Sequence, residues 1–123
     1  MRILIASDKV KHSLDSDEVA WHLTTGLLAE RPDLTVDSIS IADGGEGTVA
    51  AAISAGFTAH VVTVSGPTGV PVRATMAVRG HEAIIETAAA SGLTSLPGGI
   101  PDALGATSLG TGQLIREALN HGC

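Results

Sequence analysis

Tyrosine is absent from this chain, and tryptophan and phenylalanine occur once each, so aromatics make up only 2% of it. No base-stacking platform can be built from that set, and any core has to be assembled from Val, Ile, Leu and Ala. Basic residues are scarce too: seven Lys and Arg stand against thirteen Asp and Glu, a formal charge of −6. Surfaces for nucleic acid or anionic membrane need clustered cations, so neither partner class is expected. The one cysteine, Cys123, is the last residue, which excludes an intramolecular disulfide and a cysteine-based metal site. Long apolar runs are also missing. The opening MRILIAS meets charge at Asp8, too soon for a signal-peptide core or a membrane span. The expectation is a soluble protein of a reducing compartment, located in the cytoplasm.

What is present suffices for a core. The 123 residues are 44% hydrophobic, the size of one ordinary domain. RILIAS reads as a short buried strand. Asp15 and Glu18 form a capping-box pattern, and Val19, Leu23 and Leu27, with Ala20 and Leu28 beside them, mark one face of a helix that stops near Arg31-Pro32. LTVDSISIA, Leu34 to Ala42, alternates as a second strand, and TVAAAISAGF reads as a helix closed by Gly56. That βαβα order is the signature of a parallel α/β unit. The pattern then changes. HVVTVS and PVRATMAV alternate on either side of GPTG, with Val72, Ala74, Met76 and Val78 on one face, and AIIE supplies a further strand. An antiparallel hairpin is expected there, and a second subdomain beginning at residue 58. A Gly- and Pro-rich loop precedes the last helix, TGQLIREALNHG, capped at Gly122. Helices of parallel sheets normally lead back into another strand, so the chain reads as the front portion of a longer protein.

Three stretches could carry chemistry. Asp8 to Ser13 (DKVKHS) follows the C-terminal end of the first strand, where ligands of open parallel sheets bind. Asp8 could hold a metal or accept a proton and Lys11 could neutralise a phosphate or carboxylate; equally, Asp8 is a turn residue and Lys11 a solvated cation. ADGGEGT, Ala42 to Thr48, also follows a strand and opens a helix, so its glycines could turn backbone N–H groups toward an anion. Asp43 is then placed as a general base or magnesium ligand. The alternative is a tight turn in which Glu46 complements the helix dipole. In GATSLGTGQL, Gly105 and Gly110 have P-loop spacing, but Thr111 stands where the lysine belongs. A phosphate could still rest on the Gly110-Thr111-Gly112 backbone, or these residues simply soften a helix start. Ser91 is a possible hydroxyl contact. The five histidines show no metal-ligand spacing, so no zinc site is expected.

IASDKVKHSL, ADGGEGT, GPTGVPV, ETAAASGL and SLGTGQLI, in this order, closely resemble the bacterial glycerate kinases, and the resemblance runs over the entire chain. It implies phosphorylation of D-glycerate at the 2- or 3-hydroxyl by ATP with magnesium. It also implies two α/β domains, one inserted into a Rossmann-like or flavodoxin-like domain, with the active cleft between them. Residues 1–57 would begin the Rossmann-like domain and residues 58–123 the inserted, more antiparallel one. The family's first motif, of the form APDSFKGSL, falls on Ala6 to Leu14. Asp8, Lys11, Ser13 and Leu14 match it, while Ser7, Lys9, Val10 and His12 replace its proline, serine, phenylalanine and glycine. ADGGEGT matches without change, and Thr87 stands where a methionine is usual. From their strand-end placement, Asp43 is expected as base or magnesium ligand, Asp8 as a second metal-directed carboxylate, and Lys11 as the partner of substrate carboxylate or phosphate. Gly44, Gly45, Glu46, Gly47, Thr48, Ser91, Gly110, Thr111 and Gly112 bind substrate or phosphate. Family members continue into a strand and a second glycine-rich loop of the form GIGGSATNDGG, before which this chain stops. The expectation is therefore an incomplete two-domain kinase fold. The alternative is an inactive fragment that folds or self-associates, as a homo-oligomer, through a sheet edge.

Overall fold

The computed structural model describes residues 1–10 and 13–123. Their contacts divide into two compact units, Met1–Asp43 and Gly44–Cys123.

The first unit is a parallel pair, β1 (Arg2–Ser7) and β2 (Thr35–Ser40), joined through helix α1 (Ser16–Glu30). The register runs from Arg2 opposite Thr35 to Ser7 opposite Ser40, and the Ile41 N–H extends it to the Ser7 carbonyl at 3.0 Å. The expected capping box is formed. The Glu18 N–H donates to Asp15 Oδ1 at 2.8 Å, and the Asp15 N–H donates to Glu18 Oε2 at 2.9 Å. α1 ends at Arg31, ahead of Pro32, whose ring cannot continue it. Two sequence expectations fail here. β1 is buried on one side only: Ile5 is covered, but Leu4 is 64% exposed. Among the described residues one helix packs on a two-stranded sheet and covers a single face. In α1, Ala20 is the buried residue, whereas Leu23 is half-exposed, so the inward face is turned away from the centre of the Val19-Leu23-Leu27 row.

The second unit holds α2 (Thr48–Ser54), then the antiparallel sheet of β3 (Thr58–Ser65), β4 (Pro71–Arg79) and β5 (Glu82–Ile84), then α3 (Thr87–Ser91) and α4 (Leu109–Asn120). The hairpin predicted by alternation is present, with Ser65 opposite Pro71 and Thr58 opposite Val78. β4 is central and its two faces are covered by different helices. Val64 and Ala74 join Ala90 of α3 and Leu114 of α4, while Ala77 meets Val49 and Ala52 of α2. Period-2 side-chain alternation along β4 delivers Ala74 to one layer and Ala77 to the other. Leu114 is fully buried, a contribution of about 1.5–3 kcal/mol. The change in strand pattern lies at 57/58, but the contacts part at 43/44, because α2 packs on the antiparallel sheet. AIIE is a shorter strand than its pattern suggests. Glu86 has already left it and stands at the start of α3.

Candidate functional site

In the first unit the C-terminal ends of β1 and β2 meet the start of α1 through a chain of hydroxyls. Ser7 Oγ donates to the Ser16 carbonyl at 3.2 Å, and Ser16 Oγ to Ser40 Oγ at 3.1 Å. Ser40 Oγ then donates to Asp17 Oδ1 at 2.8 Å. None of these residues stands out in sequence, since single serines and acids at strand ends are commonplace. Asp8 lies just beyond, exposed, with Oδ1 accepting the Lys9 N–H at 2.7 Å. Val10 and Leu14 form an isolated antiparallel bridge. Lys11 lies outside the described residues.

Asp43, exposed, follows β2, and Gly44 opens the second unit. Gly44 and Gly47 adopt φ of +95° and +98°, a left-handed conformation that side-chain-bearing residues seldom take. A Cβ at either position would meet no heavy atom within 4 Å, so glycine is required there by backbone shape and not by crowding. The Thr48 N–H and hydroxyl both donate to the Gly45 carbonyl, at 3.2 and 2.7 Å, which closes the turn. At the start of α2 the Gly47 and Val49 N–H groups donate to Glu86 Oε2 at 3.1 and 3.3 Å. Among the described residues Glu86 is the one charged side chain that is buried. In sequence it is legible only as a carboxylate closing the apolar run AIIE.

The third stretch is split by the structure. Ser91, at the end of α3, and Thr111, in the first turn of α4, share a hydrogen bond of 2.9 Å between their hydroxyls. Two candidates 20 residues apart are thus brought together. Gly110 is packed: a Cβ there would run into the Ser65 carbonyl oxygen and lie 3.3 Å from the Ala90 methyl. Gln113 Oε1 holds the same strand end by accepting the Ser65 N–H at 2.7 Å. Gly112 has open space around it. Beside Ser91 lies a cavity of about 140 Å³ lined by Pro67, Leu93, Leu96, Pro101 and Ala106, with Asp102 as its charged group.

No group of three or more His, Cys, Asp or Glu side chains gathers as a metal cluster among the described residues. Magnesium is commonly held by one or two carboxylates plus substrate phosphates. Exposed hard oxygen donors at the strand ends, Asp8 and Asp43, fit that requirement. Arg2 pulls the Asp37 carboxyl below its ordinary range by hydrogen bonding and charge, and Arg31 does so for Asp33 by hydrogen bonding. No helix among the described residues is long and apolar enough to cross a membrane.

The family model described as "Glycerate kinase family" matches residues 3–123. Glycerate 2-kinase of Escherichia coli K12 is 45% identical over 126 residues, an alignment covering 99% of this chain and 33% of that protein. Glycerate kinase of Bacillus subtilis 168 is 40% identical with the same coverage. A crystal structure of a protein assigned as glycerate kinase 2 from Salmonella typhimurium LT2 superposes with a TM-score of 0.75 at 44% identity, over 99% of this chain and 33% of that one. The chain therefore spans about a third of the length of the relatives it matches.

Proposed function

The chain belongs to the glycerate kinase family, and from that premise we propose that it is the front part of an ATP-dependent kinase that phosphorylates a hydroxyl of D-glycerate. The observation that carries this reading is the match over residues 3–123 together with 45% identity to a glycerate 2-kinase. Phosphoryl transfer rests on positioning and charge neutralisation more than on covalent chemistry by the protein. Bound ATP with magnesium would supply the transferable group and much of the countercharge.

The chain's own residues take the remaining roles. Asp43, exposed directly after β2, accepts the proton of the attacking glycerate hydroxyl or ligates magnesium, and Asp8, exposed after β1, is the second magnesium-directed carboxylate. Lys11 pairs with the substrate carboxylate or a phosphate. Ser91 and Thr111 offer paired hydroxyls at the start of α4, beside the backbone of Gly110 and Gly112. Gly44, Gly45, Glu46, Gly47 and Thr48 shape the loop that follows Asp43.

Incubation of the chain with ATP, magnesium and D-glycerate, followed by assay for phosphoglycerate, tests the reading. In an active form, Asp43→Asn retaining near-normal turnover would remove Asp43 from its role. A second reading, self-association without kinase activity, is favoured by the open face of the β1–β2 sheet. There Leu4, Ile39 and Ile41 are 64%, 55% and 50% exposed. Light scattering on the purified chain, measured beside the activity assay, separates the two: an inactive oligomer favours the second.

A further inference from the structure

We propose that Glu86 is a positioning residue for the loop Gly44 to Thr48: its carboxylate occupies the start of α2 as a built-in anion and fixes the backbone that follows Asp43. The catalytic part of this inference rests on the kinase reading above; the structural part does not.

Glu86 stands at the N-cap position of α3, yet its side chain makes no cap bond to α3. It turns instead to α2, where one oxygen accepts two backbone N–H groups from residues 37 and 39 positions earlier. A buried carboxylate is costly unless hydrogen-bonded. Two amide donors and the partial positive charge of a helix start are what such a group requires. The exchange is reciprocal, because those amides belong to a helix whose N-cap, Gly47, has no side chain to offer them. Among the described residues no buried side-chain nitrogen or oxygen is left without a partner.

This arrangement reassigns the glycines. A glycine-rich turn entering a helix invites an external phosphate, but here the Gly47 and Val49 amides are already committed to Glu86. Gly44 and Gly47 serve the left-handed turn, and the Thr48 hydroxyl locks it onto the Gly45 carbonyl. With its inner side satisfied by the protein's own carboxylate, the loop is held in one conformation. Glu86→Gln preserves size and one acceptor oxygen but removes the charge. It should loosen the loop without opening a cavity.

The test has two arms. In the first, amide hydrogen exchange is followed by NMR in the wild-type chain and in Glu86→Gln. The Gly47 and Val49 amide protons are expected to exchange about tenfold faster in the variant, as loss of a charge-assisted hydrogen bond implies, with the Leu114 and Met76 amides unchanged. Equal rates in the two proteins overturn the proposal. Should the variant not fold, the wild type decides alone, since exchange of both amides at the rate of a disordered chain is incompatible with the Glu86 bonds. In the second arm, phosphoryl transfer to D-glycerate is measured. kcat is expected to fall about tenfold or more in Glu86→Gln while KM for D-glycerate and ATP stays within about threefold, the signature of lost positioning and not of lost binding. Freed amides with unchanged kcat overturn the positioning role. If the wild type forms no phosphoglycerate, the self-association reading is favoured over the kinase one, and the exchange arm still decides whether Glu86 anchors the loop.

Discussion

Replacing Gly110 by alanine pits two opposing effects against each other. Inside a helix, alanine is favoured over glycine by about 1 kcal/mol. Against that, a methyl group at 110 is driven into the backbone carbonyl oxygen of Ser65 and lies 3.3 Å from the Ala90 methyl. A backbone oxygen cannot rotate away as a side chain can, so either α4 or the end of β3 has to shift. Ser65 is also tied to α4 through its N–H to Gln113, and Leu114 just below is fully buried. Any shift therefore loosens the layer that Leu114 fills. Overpacking of this kind costs about 1–3 kcal/mol, which leaves Gly110→Ala net destabilising by up to about 2 kcal/mol after the helical gain. For a unit of this size that corresponds to a fall in Tm of roughly 4–8 °C per kcal/mol. Gly112→Ala is the internal control. It lies in the same helix with nothing within 4 Å of a new Cβ, and should stabilise by up to about 1 kcal/mol. Thermal and urea unfolding followed by far-UV circular dichroism reads both. A Gly110→Ala variant that matches or exceeds Gly112→Ala in stability would show that Gly110 is not pinned against Ser65.

Leu114→Ala should destabilise by about 2–5 kcal/mol in urea unfolding, since it empties a fully buried site between α4 and the sheet. Asp15→Ala removes the capping box of α1 and should cost about 1 kcal/mol, readable as a loss of helicity or of midpoint temperature. The Asp37 carboxyl should titrate below the ordinary carboxylate range, because Arg2 Nε donates to it and stabilises its charged form. A folded-state pKa depressed in this way contributes stability above the unfolded carboxylate range, and that stability is lost as pH falls through the folded value. Arg2→Ala should return the titration toward the ordinary range. A carboxyl midpoint unchanged in that variant, measured by NMR, refutes the pairing.

Periodicity made much of the fold legible. Alternation in HVVTVS and PVRATMAV predicts β3 and β4 with the observed pairing, and the Asp15–Glu18 spacing predicts the start of α1. Alternation says which residues share a face but not whether that face is covered. Leu4 and Leu23 are therefore read as buried from pattern and found exposed, because coverage depends on how many elements stack above them. β4 reverses the lesson. Ala77 falls on the face opposite Ala74 and is fully buried as well, because α2 packs where the pattern alone suggests solvent. In the candidate site, Ser91 and Thr111 are recognisable singly, but their hydrogen bond needs the α3–α4 packing that no local pattern encodes. Glu86 is less legible still, since both its partners lie 37 or more residues away.

The glycines of this chain show why glycine-rich motifs are ambiguous as sequence and resolvable as structure. Gly47 is required for a left-handed φ, Gly110 for close approach to Ser65, and Gly112 for neither. Of these glycines Gly112 has neither a left-handed φ nor a close contact to require it. The two helix starts sort in the same direction. That of α2 donates to Glu86. That of α4 has no side-chain bond from its N-cap Ser108, though the Leu109 N–H donates to Thr107 Oγ1 at 3.2 Å, and it carries the Ser91–Thr111 hydroxyl pair in its first turn. On the kinase reading, the start of α4 is the proposed place of phosphate contact. Gly112→Ala then becomes a functional test as well as a stability control: a variant more stable yet weaker in ATP binding would tie that backbone to the nucleotide. Unchanged ATP affinity would return Gly112 to an ordinary helix position.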